Sequence, residues 1–144
     1  MTDRSRIQSV AMLYGVALLL VGILGFIPGI TTNYEDLAFA GTDSQAELLG
    51  LFQTSILLNL VHLAYGIAGL AVAKTVEGSR TFLIGGGVIY LVLWLYGLVI
   101  DRGGDANFVP LNTADNWLHF GLGATMVAAG FLLTREPRAR TTTV

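Results

Sequence analysis

Asn59-Leu60-Val61-His62-Leu63-Ala64-Tyr65-Gly66 is the stretch on which the reading of this chain turns. Fifty-seven positions later it recurs as Asn116-Trp117-Leu118-His119-Phe120-Gly121-Leu122-Gly123, so both copies read Asn-x-x-His-x-x-x-Gly. They contain the only two histidines in the protein. Each lies inside or at the edge of a long apolar run, where an ionisable side chain is costly unless it finds a partner.

The first copy sits in the run Leu48 to Ala73, interrupted by Gln53, Thr54, Ser55, Asn59 and His62. Its length predicts a membrane helix over 48–73 with residues to spare for tilt. Upstream, Val10 to Ile27 carries no charge, which predicts a helix over 10–27 that Pro28-Gly29 breaks. No small-x-small cleavage site follows Ile27 directly, and Ala38-Phe39-Ala40 lies too far downstream, so an uncleaved helix is expected rather than a signal peptide. Two more helices are expected over 81–100 and 114–133, the second capped by Asn112 or Thr113 with Asp115 favourable in its first turn. Residues 1–9 form a polar N-terminus, 31–47 and 101–113 two exposed acidic loops, 74–80 a short turn, and 134–144 a disordered tail.

Composition supports a membrane protein. Of 144 residues, 53% are hydrophobic and 12% charged, against roughly 25% charged in soluble domains; the mean hydropathy is +0.67. The length suits one domain. There is no basic patch for nucleic acid, and the absence of cysteine excludes disulfides, thiolate metal sites and cysteine nucleophiles. Of the eight Lys and Arg residues, Arg4, Arg6, Lys74, Arg80, Arg135, Arg138 and Arg140 fall in the N-terminus, the 74–80 turn and the tail, leaving Arg102 alone in the other loops. Positive charge marks the cytoplasmic side, so four spans with both termini cytoplasmic satisfy every loop.

The expectation is therefore an all-α integral membrane four-helix bundle, made of two similar helix pairs related by an axis along the membrane normal. Steps of four and three place Ser55, Asn59, His62, Gly66 and Gly69 on one narrow face, and Asn112, Asn116, His119 and Gly123 repeat that pattern. Tyr90, Trp94, Gly97 and Asp101 offer a matching seam on the third helix, and Tyr14, Gly15, Gly22 and Gly25 on the first.

Three accounts of the seam stand side by side. In the first, neutral His62 and His119 hydrogen-bond to Asn, Ser, Tyr, Asp101 or Asp115 and lock the helices, with no cofactor. In the second, the two imidazoles ligate one haem b from opposite faces, with the glycine one turn after each making room for the porphyrin. In the third, they line a proton or small-solute path, with the acidic loops at its mouth and an oligomer forming its wall. A hydrolytic metal site is disfavoured, because two histidines with only peripheral carboxylates make a sparse ligand set. Gly85-Gly86-Gly87 lacks the Gly-Lys-Ser/Thr ending of a phosphate loop and reads as a close helix contact. Trp94 and Trp117 read as packing or interfacial anchors. Phe108-Val109-Pro110-Leu111 is an apolar insertion suited to folding over the outer mouth of the bundle.

Asn59-Leu60-Val61-His62-Leu63 with Gly66-Ile67-Ala68-Gly69-Leu70, and Pro110-Leu111-Asn112-Thr113-Ala114-Asp115-Asn116-Trp117-Leu118-His119, resemble the signatures of the prokaryotic membrane family catalogued as domain of unknown function 4383. The resemblance covers about Ile7 to Leu133. It implies a small four-helix protein of a prokaryotic plasma membrane and brings no substrate, cofactor or catalytic residue. The sequence thus leads to a small polytopic membrane protein with a non-enzymatic structural, accessory or envelope-related role. Its expected partners are the lipid bilayer and a second copy or another membrane protein.

Overall fold

The structure, a computed structural model, describes residues 4–133; the tail at 134–144, with Arg135, Arg138 and Arg140, lies outside them. Four helices dominate: α1 Arg6–Leu24, α2 Ile56–Val72, α3 Val76–Val99 and α4 Thr113–Leu132. α1 and α3 are long and apolar enough to cross a membrane, whereas α2 is apolar but shorter, at 17 residues. Between α1 and α2 lie β1 Thr31–Thr32, a 3-10 turn at Tyr34–Asp36, β2 Glu47–Leu48 and β3 Phe52–Gln53. The strands form an antiparallel sheet in the order β1-β2-β3, with Thr31 opposite Leu48 and Leu48 opposite Phe52.

The miniature sheet corrects the expected second helix. Residues 48–53 are not helical: Leu49 (φ 57°) and Gly50 (φ 65°) are both left-handed and turn the chain back on itself. The apolar run continues through this hairpin, so hydropathy alone does not separate it from the helix. α2 begins only where Ser55 Oγ accepts a hydrogen bond from Leu58 N at 3.1 Å, an N-cap. The 31–47 stretch is likewise a folded cap rather than a plain exposed loop. Thr31, Ser44 and Ala46 are completely buried, and Ser44 Oγ donates to the Thr54 carbonyl at 2.6 Å.

Other boundaries shift for local reasons. α1 starts at Arg6, where Ser5 N donates to Gln8 Oε1 (3.1 Å), and stops before Gly25. The expected 74–80 turn shrinks to three residues, because Thr75 Oγ1 accepts from Gly78 N (3.0 Å) and starts α3 at once. Glu77 and Arg80 therefore belong to a helix. Asn112 is the N-cap of α4, its Oδ1 accepting from Asp115 N at 2.9 Å.

The helices pack as two hairpins, α1 with α2 and α3 with α4, joined by a core of Ile7, Ala11, Leu18, Phe82, Leu83, Tyr90 and Met126. The repeat extends through both hairpins in a fixed register. Where α1 crosses α2, a Cβ on Gly66 would fall 2.8 Å from the Gly15 carbonyl; where α3 crosses α4, a Cβ on Gly123 would fall 2.9 Å from the Gly87 carbonyl. Nearer the sheet, Gly25 leaves room for the Asn59 amide, and Gly97 for the Asn116 amide. α1 thus maps on α3 with a shift of 72 (87 − 15 and 97 − 25), and α2 on α4 with a shift of 57 (123 − 66 and 116 − 59). The same shift carries the cap Ser55 onto the cap Asn112. Within Gly85-Gly86-Gly87, Gly86 receives the Tyr65 hydroxyl and Gly87 receives α4, as expected of a helix contact.

Candidate functional site

Of the expected seam, His62, His119 and Asp115 meet between the hairpins, whereas Asn59 and Asn116 each pack inside their own hairpin, against Gly25 and Gly97. Asn59, Asn116, Ser55 and Asp115 are buried, and His119 is 4% exposed. His62 and His119 line the same cavity of about 250 Å³, along with Tyr90 and Asp115. Tyr90 lies against His119, with ring centroids 5.2 Å apart and planes inclined at 36°. Tyr65 extends the aromatic line to Tyr90 (6.5 Å) and Phe82 (5.1 Å).

The polar groups divide into satisfied and unsatisfied sets. Asp115 Oδ2 accepts from Gln53 N (3.0 Å) and Asn112 N (3.0 Å), and Asn112 Nδ2 donates to the Leu51 carbonyl at 2.8 Å. These bonds tie the β2–β3 hairpin to the start of α4. Asn59 Oδ1 accepts from Thr54 Oγ1 at 2.6 Å. By contrast, Nδ1 of His62, Nδ1 of His119, Asn59 Nδ2, Asn116 Oδ1 and Trp94 Nε1 are buried without a hydrogen-bond partner among the described residues. Among the described residues no hydrogen bond joins either imidazole to the Asn, Ser, Tyr, Asp101 or Asp115 of the first account.

Trp94 packs against Phe120 with ring centroids 4.7 Å apart and planes tilted by 46°, while Trp117 is 60% exposed. Phe108-Val109-Pro110-Leu111 is pinned by Asn107, whose Oδ1 accepts from Leu111 N (3.0 Å) and whose Nδ2 donates to the Leu111 carbonyl (3.2 Å). Leu111 and Pro110 are buried and Phe108 is exposed. Sequence reading missed the hairpin that roofs the cavity, Leu48, Leu49, Phe52 and Gln53. The signal available was Gly50 followed by the capping serine Ser55.

A family model described as Domain of unknown function (DUF4383) matches residues 8–132. The chain belongs to this family. No curated protein and no solved structure matches it. The DUF4383 match spans both hairpins and both copies of the Asn-x-x-His-x-x-x-Gly motif, so the paired imidazoles lie within the family's own domain.

Haem b fits this arrangement poorly. The room beside Gly66 and Gly123 is filled by the backbones of α1 and α3, so neither glycine makes space for a porphyrin. The cavity of about 250 Å³ is below the roughly 300–1,000 Å³ usual for cofactor-sized ligands.

Proposed function

We propose that this DUF4383 chain is a four-span integral protein of a prokaryotic plasma membrane, with both termini cytoplasmic and a non-enzymatic, accessory role. One observation carries the reading: the outward faces of the helices are apolar, where a water-soluble bundle would be polar. Buried beside the apolar core are small and polar groups, Gly15, Gly66, Ser79, Asn59, Asn116 and His119, with both asparagines at 1% exposure. The outward faces are aliphatic and aromatic on every helix: Leu13 and Leu20 on α1, Val61 and Ile67 on α2, Val92 and Leu95 on α3, Trp117 and Phe131 on α4. In water such a surface would aggregate, whereas against lipid it is at no disadvantage, and small and polar residues are what join helices there. The short α2 fits the same scheme, because its apolar sequence continues into the β2–β3 hairpin, whose tip residues Leu49 and Leu51 are also exposed.

A transmembrane proton or solute path through one chain has less support. Between the cavity and the α2–α3 turn the interior is closed by Ala11, Leu83 and Met126, each with no exposed surface.

The test is accessibility of single cysteines in intact cells. A cysteine at Lys74, exposed in the α2–α3 turn, is expected to react only after the cytoplasm is opened, and one at Asp43, exposed in the cap, from outside. Reaction of both from the same side would overturn the four-span arrangement.

A further inference from the structure

The hairpins leave two clefts between them, and the internal repeat relates one to the other. The first, of about 250 Å³, lies between α1 and α4 and includes Val21, Leu118 and Leu122. The second, of about 130 Å³, lies between α2 and α3 and includes Leu93, Val61 and Tyr65, the positions that the shifts of 72 and 57 assign to those three. Leu58, His62, Tyr90 and His119 border both.

Of the two, the α1–α4 cleft alone adds a carboxylate to the shared imidazoles. Its walls are aliphatic, but it also contains Asp115, where the repeat places Leu58 in the other half. Asp115 uses Oδ2 for both of its bonds to backbone nitrogens. His119 (4% exposed) and His62 also line the cleft; Nδ1 of each is shut inside the protein, and Nε2 of each has no hydrogen-bond partner among the described residues. The second Asp115 oxygen is an acceptor, and Nε2 of a neutral imidazole either donates or accepts, so the polar end of the occupant must donate and can also accept, as a hydroxyl does. A cavity of about 150 Å³ suffices for a benzene ring, so this cleft takes a single substituted ring but not a long chain. The cleft reaches the surface at Leu49 (65% exposed) and Leu118 (38% exposed), which gives a chain a way out. Below it, α1 and α4 are held together by Tyr14 Oη donating to Thr125 Oγ1 at 2.7 Å. Leu49, at the lip, has a left-handed backbone, and strain of that kind is commonly kept where a segment closes on a ligand.

We propose that the α1–α4 cleft binds the hydroxylated ring of a lipophilic molecule, a long-chain phenol or hydroquinone, with its hydroxyl against His119, His62 and Asp115 and its chain leaving between Leu49 and Leu118 into lipid. The proposal rests on the membrane reading. It concerns binding alone and requires no electron or group transfer.

Decylhydroquinone and its dimethyl ether, titrated by calorimetry into the full chain in lipid nanodiscs, test it. Saturable binding of the hydroquinone is expected, with the ether at least about tenfold weaker, since the ether lacks the donor that the site requires. Leu122→Trp fills the cleft and should abolish binding. Leu118→Trp, at the partly exposed lip, should do the same without entering the core. His119→Leu should reduce the preference for hydroquinone over ether. Equal binding of both compounds would show an alkyl chain in an apolar groove and overturn the proposal, as would saturable binding unaffected by Leu118→Trp, or no saturable binding at all. Failure of the membrane reading is seen separately, in the labelling at Lys74 and Asp43.

Discussion

The two helix hairpins share a register and differ in what joins their helices. In the first, residues 25–55 connect α1 to α2 and fold into a three-stranded cap; in the second, residues 100–112 connect α3 to α4 as a short loop pinned by Asn107. The helix contacts, glycine crossings, capping residues and histidines are repeated. The hairpin roof, Asp115 and the larger cleft are not. Duplication thus accounts for the frame, and departure from it for the place where the frame offers a ligand unmatched polar groups. The cap bonds to α4 through Asp115 and Asn112 and so bridges the two hairpins at one end of the cleft between α1 and α4.

The comparison breaks most sharply at the crossings. Gly66→Leu would drive a side chain into the α1 backbone, since even a Cβ would lie 2.5 Å from Leu19 N; Gly123→Leu would meet the Gly87 carbonyl at 2.9 Å and the Leu91 side chain at 2.7 Å. Overpacking costs about 1–3 kcal/mol where side chains can yield, and backbone cannot. Both variants are expected to lose the monodisperse folded peak in size-exclusion chromatography in detergent, and a well-folded Gly123→Leu would show that the second crossing is looser than the first. Next in size is Asp115→Ala. It leaves Gln53 N and Asn112 N without their acceptor, at about 1–3 kcal/mol. Hydrogen exchange should then accelerate at Gln53 and its neighbours in the cap while residues 100–112 keep their rates; uniform acceleration would mean the cap is not a separate element.

How far the sequence foretold this follows from the same division. The repeated parts were legible because helix packing leaves a period: Ser55, Asn59, His62 and Gly66 fall on one face whatever the neighbours are, and a second copy at a constant shift confirms the face. The pairing of Gly25 with Asn59 and of Gly97 with Asn116 was not legible, because it joins residues in different helices and needs the crossing geometry. The cap was misread for a different reason. Leu48, Leu49, Leu51 and Phe52 are as apolar as α2, and what separates them from it is a left-handed Leu49, a conformation that a leucine rarely adopts and that its identity does not announce. The shared face of the histidines was legible and their surroundings across the helices were not. Burial follows from periodicity, whereas a hydrogen bond depends on distances across helices.

Two smaller effects sharpen the comparison at the cap and at the seam. Leu49→Gly removes a left-handed leucine, which costs about 1–2 kcal/mol, and offsets part of that gain by adding freedom to the unfolded chain. A net rise in stability of about 1 kcal/mol or less is expected in detergent unfolding; a fall would mean that the Leu49 side chain stabilises the roof by more than its backbone costs. His62→Leu and His119→Leu should change least. A buried imidazole with an unpartnered nitrogen contributes no hydrogen bond to lose, and replacing it with an apolar side chain of similar size is near neutral or stabilising. Each variant is expected to unfold within about 1 kcal/mol of the parent, His119→Leu losing slightly more because it also gives up the Tyr90 ring contact at 5.2 Å. A loss of several kcal/mol from either would reveal a hydrogen bond that holds the hairpins together, restoring the histidines to a structural role. Neutral variants that still fold would leave those side chains free for something other than folding, which is what paired unspent imidazoles at the centre of a repeated frame require.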